Sequence, residues 1–252
     1  MLDDVRHRRF SASGTIAAFM PFSDQPMPVP LTREELLDHD RRRRMMEAYP
    51  WMKTWTDEEL DRSLEQTLKS RPADGTGRGG IWVFAYGSLI WNPTFAFVER
   101  RTARIRGYHR RFCLRADMGR GTLERPGLFL GLDRGGQCAG VVFRIAEEQA
   151  AHELTLLWRR EMITGAYIPR WLKAETEEGP VHAIAMTINR NYSRYVGDWT
   201  HAETIKAIAM AEGRFGRCSD YLFNTAEHLA ELGLRDRMLE RFAAEVRRFL
   251  AG

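Results

Sequence analysis

The chain has 252 residues, of which 44% are hydrophobic and 29% are charged, and its formal net charge at pH 7 is +4. A chain of this length and composition can bury a sizeable core, which excludes a largely disordered protein. No stretch reaches the roughly 20 consecutive apolar residues that a transmembrane helix needs, so we expect no membrane partner.

Charge balance and cysteine usage exclude further classes. The 38 basic residues are nearly offset by 34 acidic ones, and no nucleic-acid-binding motif occurs, so we expect no nucleic-acid partner. Cys113, Cys138 and Cys218 lie far apart, with no CxxC pair and no histidine at ligand spacing, so we expect neither a disulfide framework nor a metal site. The N-terminal stretch is a poor signal peptide, and a cytoplasmic location is the default expectation.

Residues 1–80 are predicted to form an N-terminal extension that is partly helical. Residues 1–30 are expected to be irregular, because the stretch before Leu31 is too rich in proline for a helix or a central strand. Two capping boxes, one at residues 32–35 and one at residues 56–59, each predict a helix start. The extension is therefore expected to carry at least two helices.

Two charged or flexible stretches in the extension invite a functional interpretation. The four consecutive arginines at residues 41–44 are compatible with a site for an anion or RNA, but a solvated helix face is the favoured interpretation. Residues 71–80 are rich in glycine and indicate a linker. We therefore place a boundary there and predict that residues 81–252 form a separate domain.

The rest of the chain is rich in strands and then in helices. One helix over residues 147–162 interrupts the strands, and three helices follow them, the second with Ser219 as its expected N-cap. Strands first and helices segregated later favour the α+β class, with a sheet that closes into a small barrel. The six strand candidates are residues 81–86, 103–115, 127–132, 138–145, 166–175 and 181–188.

Glu161 is the candidate catalytic residue from helical periodicity. It shares one helix face with Ala150, Leu154 and Leu157, whereas the two arginines before it are predicted to point away. A carboxylate on an apolar face loses hydration, which raises its pKa towards the range that a general base or acid needs. The alternative is that Glu161, near the helix end, bends out to solvent or pairs with an arginine. The Gly165 turn and Tyr167 that follow favour the site.

A second candidate is the 86–89 loop, formed by Tyr86, Gly87, Ser88 and Leu89 at the end of a predicted strand. A strand that ends in a Gly-Ser turn can expose successive backbone N–H groups, which bind carboxylate or phosphate. An ordinary β-turn is the alternative. A nucleophilic role for Ser88 is disfavoured, because the G-x-S-x-G motif is absent and no base is placed by motif.

At these residues the chain resembles the ChaC family of γ-glutamylcyclotransferases. "WVFAYGSLIWNP" is similar to the family's GYGSLIW signature, and "GYHRRFCL", "GRGTLERPGLFLGL", "CAGVVFRI", "WRREMITGAY" and "GRCSDYL" resemble its later blocks in the same order. Each block alone is weakly specific, but together they cover about residues 81–252. The resemblance implies a small mixed barrel with helices that cleaves glutathione, a small-molecule substrate, without a cofactor.

The resemblance also implies roles for individual residues. Glu161 corresponds to the family's proton acceptor, and the 86–89 loop to the segment that holds the γ-glutamyl group. Tyr167 and Tyr221 correspond to tyrosines of the later blocks and are expected as pocket walls. Arg120 is a candidate for a substrate carboxylate, with a solvated loop arginine as the alternative. The strand residues before the loop, expected to contribute to substrate binding, are Val83, Phe84 and Ala85.

Three positions depart from the family pattern. Ala85 replaces a glycine, a change that a strand tolerates, and the segment before Tyr167 has lost one of two glycines. Leu128 stands where an arginine is usual, so a surface ion pair or a contact near the substrate is expected to be missing. This last departure leaves open a substrate range that includes other γ-glutamyl amines or amino acids. A non-catalytic anion-binding module is the remaining alternative.

Overall fold

The computed structural model describes residues 31–73 and 79–252. Within them lie seven α-helices and seven strands, together with two 3-10 helices at Ser88–Ile90 and Glu147–Gln149. The predicted irregular segment 1–30 and residues 74–78 of the predicted linker lie outside the described residues. The helices are α1 (Arg33–Leu37), α2 (Arg41–Ala48), α3 (Asp57–Lys69), α4 (Ala150–Glu161), α5 (His201–Met210), α6 (Cys218–Glu231) and α7 (Arg237–Ala251). The strands are β1 (Ile81–Ala85), β2 (Glu99–Ala116), β3 (Gly127–Ile145), β4 (Tyr167–Glu175), β5 (Val181–Ile188), β6 (Glu212–Gly213) and β7 (Gly216–Arg217).

Five of the strands close into a mixed barrel, which confirms the predicted α+β fold with a small barrel. The order around the barrel is β1, β3, β2, β4 and β5, and β5 then pairs with β1. The β1–β5 pair is parallel, whereas the other four pairs around the ring are antiparallel. Because β1 is hydrogen-bonded on both sides, every one of its residues is buried, and it delivers the chain to the 86–89 loop from a rigid position.

The barrel has five strands where the sequence predicts six candidates. Residues 127–132 and 138–145 are two parts of one strand, β3, which pairs with β2 along nearly its whole length. The glycines between them, Gly135 and Gly136, have φ of 100° and 67°, and Gly107 on β2 has a φ of 80° beside a register shift. These glycines therefore produce an irregularity inside a continuous hairpin and do not end the strand.

The start of α6 also differs from the prediction. The expected N-cap, Ser219, is wrong: the helix begins at Cys218, its N-cap is Arg217, and Ser219 is buried in the first turn. The reason is tertiary, because β6 and β7 form a short hairpin that runs directly into the helix. The amide of Cys218 donates to the carbonyl of Ala211 at 2.9 Å, so the backbone of that hairpin region satisfies the helix start.

The two capping boxes of the extension are both present, at the starts of α1 and α3. The extension packs against α4 through a buried carboxylate, Glu153, which is 3% exposed. Arg33 contacts Glu153 in a bidentate arrangement, with N–O distances of 2.6 and 2.7 Å, and the amide of Ala96 donates to the same carboxylate at 2.8 Å. This ion pair joins α1, α4 and the segment after the 86–89 loop.

Replacing Arg33 by Met leaves the buried Glu153 carboxylate without its cation. We expect a loss of about 2–4 kcal/mol in the free energy of unfolding, measured by urea denaturation. The matched control is Arg43→Met, since Arg43 pairs with exposed Asp40 and Glu47, and we expect it to change stability by less than about 1 kcal/mol. Equal stability of the two variants would contradict a structural role for the Arg33–Glu153 pair.

Candidate active site

Glu161 ends α4 at the place that its periodicity predicts. The apolar partners on its face, Ala150, Leu154 and Leu157, are buried in the core, and Gly165 adopts a φ of 71° in the turn that follows. The Glu161 carboxylate lines two adjoining cavities. Burial raises the pKa of this carboxyl above its usual value, and the guanidinium of Arg160 opposes the rise without cancelling it.

Arg160 belongs to the site, and the prediction that both arginines before Glu161 point away is wrong for it. Its Nε lies 2.9 Å from the Glu161 carboxylate, and its Nη2 donates to Ser88 Oγ at 3.0 Å. Its Nη1 donates to the carbonyl of Asn92 and to Thr94 Oγ1. Helical periodicity missed Arg160 because a long side chain can curl around the helix end, where the neighbouring loop supplies acceptors.

On the other side of Arg160 lies Thr94, whose own backbone conformation is strained. It has a φ of 56°, and among the described residues it alone combines a side chain with a positive φ. Such a conformation is unfavourable for a β-branched residue and persists where surrounding contacts impose it. Here the contacts are the hydrogen bonds that Arg160 and Arg33 donate to Thr94.

The smaller cavity, which we call the inner chamber, has a volume of about 30 Å³. It brings together the whole 86–89 loop, Glu161, Tyr167 and Tyr221, with Leu130 and Met186 completing its wall. The loop, Glu161, Tyr167 and Tyr221 are separate in the sequence, and the structure assembles them around one space.

One backbone unit, that of Leu130 on β3, fixes both tyrosines of the inner chamber. Tyr167 Oη donates to the carbonyl of Leu130 at 3.2 Å, and the amide of Leu130 donates to Tyr221 Oη at 3.4 Å. Leu130 lies beside a register shift in the β2–β3 pairing, between its partner Phe112 and Leu114. Burial raises the pKa of both phenols, so they remain protonated hydrogen-bonding groups near neutral pH.

Arg110 fixes the first residue of the 86–89 loop. This arginine is 4% exposed and donates to the carbonyls of Tyr86 and Ala139, and it also pairs with Asp236, the N-cap of α7. The hydroxyl of Tyr86 donates to the carbonyl of Met186 at 2.7 Å. The loop is therefore tied to β2, β3, β5 and α7 before any ligand is bound.

Not every predicted site residue lines a described cavity. Val83, Phe84 and Ala85 lie inside β1 and are at most 1% exposed, so they support the loop from the core, and their predicted substrate contact stays a prediction. Leu128 is fully buried, lies beside Cys218 and lines neither chamber. Its side chain therefore occupies neither of the two positions expected for the missing arginine, the surface or the substrate pocket.

The larger cavity, the outer chamber, has a volume of about 200 Å³ and adjoins the inner one. Ser88, Glu161, Tyr167 and Tyr221 line both and form the rim between them. Arg120 lines the outer chamber and is 9% exposed, which contradicts the alternative that it is a solvated loop arginine. The arginines that line this chamber are Arg41, Arg115, Arg120, Arg160 and Arg194.

Neither the buried cysteines nor Ser88 is activated as a nucleophile. Burial raises the pKa of Cys113 to about 12 and that of Cys218 to about 11, so neither thiol supplies a thiolate near neutral pH. Ser88 accepts a hydrogen bond from Arg160, a cation that cannot act as its base. Residues 31–73 and 79–252 contain no cluster of His, Cys, Asp or Glu that could hold a metal ion.

The sequence of the barrel and its helices matches a known family. Residues 81–249 match the ChaC family of ChaC-like proteins. The chain is 42% identical to the glutathione-specific gamma-glutamylcyclotransferase of Escherichia coli (strain K12) over 199 residues, which cover 78% of this chain and 84% of that protein. It is 31% identical over 158 residues to glutathione-specific gamma-glutamylcyclotransferase 1 of Danio rerio, with coverage of 61% and 81%.

A solved structure shares the fold. The selenomethionine-labelled yeast gamma-glutamyl cyclotransferase specific to glutathione superimposes with a TM-score of 0.64 at 23% identity, covering 68% of this chain and 97% of that one. At this identity the likeness shows the fold alone. The alignment with the E. coli relative is longer than the 172 residues that follow residue 80, so part of it falls in the N-terminal extension.

The raised pKa of Glu161 predicts how stability depends on pH. Between the ordinary carboxyl pKa near 4.5 and the higher folded value, the folded state binds more protons than the unfolded state, so this group makes stability fall as pH rises. Glu161→Gln removes the contribution. We expect the unfolding free energy of the variant to gain on that of the wild type from pH 4 to pH 7, as measured by urea denaturation at each pH. If the unfolding free energy of the variant minus that of the wild type falls as pH rises, Glu161 does not have a raised pKa.

A steric test probes the contact between the 86–89 loop and Tyr221. A Cβ on Gly87 would lie 2.9 Å from Tyr221 Oη, whereas its next neighbours are 3.9 Å away. We expect Gly87→Ala to destabilise the protein by about 1–3 kcal/mol, and Tyr221→Phe to relieve most of that cost in the double variant. Strictly additive unfolding free energies in this cycle would show that the hydroxyl is not the obstacle.

Proposed function

Since this chain belongs to the ChaC family, we propose that it is a γ-glutamylcyclotransferase that cleaves glutathione into 5-oxoproline and Cys-Gly. One observation carries the proposal: a desolvated carboxylate, Glu161, lines the same small chamber as the 86–89 loop. A protein that only bound an anion would gain nothing from a buried carboxylate facing its ligand. That carboxylate therefore favours catalysis over the binding-module alternative.

The reaction is an intramolecular aminolysis. The substrate's α-amine, once neutral, attacks its own γ-carbonyl carbon, and a C–N bond forms that closes the five-membered lactam. The bond between that carbon and the cysteine nitrogen breaks, and the departing nitrogen takes up a proton. Atoms and charge balance without a cofactor, so the enzyme has two tasks: to fold the γ-glutamyl chain and to carry a proton from the amine to the leaving nitrogen.

The 86–89 loop would perform the first task. Its backbone N–H groups, with the protonated hydroxyls of Tyr167 and Tyr221 opposite, would hold the γ-glutamyl group in a bent conformation in the inner chamber. Well-oriented intramolecular reactions gain on the order of 7–11 kcal/mol from such positioning. The hydrogen bonds of Arg110 and Tyr86 to the surrounding strands support this role, because the loop needs no reorganisation when substrate binds.

Glu161 would perform the second task from the rim between the chambers. A raised pKa suits a group that must both accept the ammonium proton and release it to the leaving nitrogen near neutral pH. Arg160 acts as a positioning residue, because it holds the Glu161 carboxylate and the Ser88 hydroxyl with one guanidinium. Ser88 thus serves as part of the binding loop, and its nucleophilic role is not needed.

The substrate that we propose is glutathione, not a broader set of γ-glutamyl compounds. The curated relatives in E. coli and zebrafish are named glutathione-specific, which supports glutathione over other γ-glutamyl amines. Because Leu128 lines neither chamber, it gives no support to a broader range.

No helix in the described parts of the chain is long and apolar enough to cross a membrane. Three free, buried cysteines support a reducing compartment, and the cytoplasm is the location we propose.

Glu161→Gln should abolish most of the turnover while the protein stays folded. Loss of general acid–base catalysis predicts a fall in kcat of about 10²–10⁴-fold, measured as 5-oxoproline released from glutathione. Glu148→Gln is the matched control, because Glu148 is exposed just before α4 and lines neither chamber. Turnover by Glu161→Gln at close to the wild-type rate would refute the assignment. Comparing wild-type turnover of glutathione and γ-glutamyl-alanine tests the substrate range.

A further inference from the structure

The N-terminal extension supplies part of the wall of the outer chamber. Leu31, Arg41 at the start of α2, and Met52 after its end all line the chamber, which also contains Glu161. The chain reaches this position because the Arg33–Glu153 ion pair holds α1 against α4, and because the amide of Trp55 donates to the carbonyl of Ile163 at 2.8 Å. The extension is thus anchored on both sides of the residues that face the chamber.

Arg41 differs in its surroundings from Arg43 and Arg44 of the same run. Arg43 and Arg44 are exposed and pair with acidic side chains of their own segment. Arg41 faces the chamber, and in the described part of the chain no carboxylate lies within 4 Å of its guanidinium. Its Nη1 donates a long hydrogen bond to the carbonyl of Arg159 at 3.3 Å. Burial lowers the pKa of Arg41, as expected of a cation withdrawn from water without a partner.

The acidic groups near the chamber are already occupied. Glu35, the acid whose charge acts on Arg41, accepts from Arg214 at 2.7 Å. Arg115 and Arg194 share the buried carboxylate of Asp117.

Arg160 pairs with Glu161, so three of the five arginines that line the outer chamber have a carboxylate partner within the protein. Among the described residues, neither Arg41 nor Arg120 has a carboxylate partner, and Arg120 instead donates to the carbonyl of Arg217 at 3.1 Å. The outer chamber is therefore electropositive and complementary to an anionic ligand.

We propose that Arg41 binds the terminal carboxylate of the leaving dipeptide, so that the N-terminal extension is a specificity-determining wall of the site. The inference rests on the proposed function. If the γ-glutamyl group lies in the inner chamber, the rest of the tripeptide passes the rim at Glu161 and ends in the outer one. No arginine lines the inner chamber, and Arg41 lines only the outer one. A guanidinium without an acidic partner then meets the one carboxylate that the leaving half carries.

A cycle of enzyme and substrate changes tests this assignment. The enzymes are the wild type, Arg41→Gln and Arg43→Gln, and the substrates are glutathione and its C-terminal amide, which lacks only the terminal charge. We expect the wild type and Arg43→Gln to prefer glutathione by about 10- to 100-fold in kcat/KM, the effect of one charge-assisted hydrogen bond. Arg41→Gln should lose that preference to within about twofold, mainly through KM. Arg41→Lys should restore part of it.

The outcomes separate this inference from the proposed function. If the wild type releases no 5-oxoproline from glutathione, the proposed function is wrong and the inference falls with it. If the wild type is active and Arg41→Gln keeps the preference for the free carboxylate, only the inference is overturned. The same holds if Arg120→Gln erases the preference while Arg41→Gln does not. Thermal melting of each variant confirms that it is folded, so a lost preference reports on binding.

Discussion

The burial of one carboxylate beside one guanidinium is the constraint on which the site depends. Glu161 lies at the C-terminal end of α4, where lost hydration disfavours its charge and the partial negative charge of the helix end does the same. The guanidinium of Arg160 opposes the rise in the pKa of Glu161, and the same side chain donates a hydrogen bond to Ser88. One side chain thus contacts both the proposed proton-transfer group and the 86–89 loop.

The barrel serves this arrangement by making a rigid frame out of backbone groups. β1 is paired on both sides and ends at the 86–89 loop, and the amide and carbonyl of Leu130 on β3 hold two tyrosines. Buried Arg110 then joins the loop to the N-terminus of α7. Preorganisation of this kind would suit the proposed intramolecular reaction, in which the main requirement is to fix one bent conformation of the substrate.

The N-terminal extension forms part of the candidate site and is more than an appendage to residues 81–252. Its helices pack on α4 through Glu153, and three of its residues face the outer chamber. In the arginine run of residues 41–44, favoured as a solvated face, Arg43 and Arg44 are exposed, Arg42 is partly buried and Arg41 lines the outer chamber. That division follows from the helix period, since consecutive residues point in directions about 100° apart.

Local patterns in the sequence determined most of the helices and strands, the α+β fold class and the candidate catalytic residue. Capping boxes placed α1 and α3, and the apolar spacing in α4 put Glu161 on the buried face, because these signals depend on residues a few positions apart. Tertiary structure alone decided the rest: that 127–132 and 138–145 form one strand, that Arg160 curls into the site, and that the extension lines a chamber. Each of these depends on contacts between residues far apart in the chain, for which a single sequence carries no periodic signal.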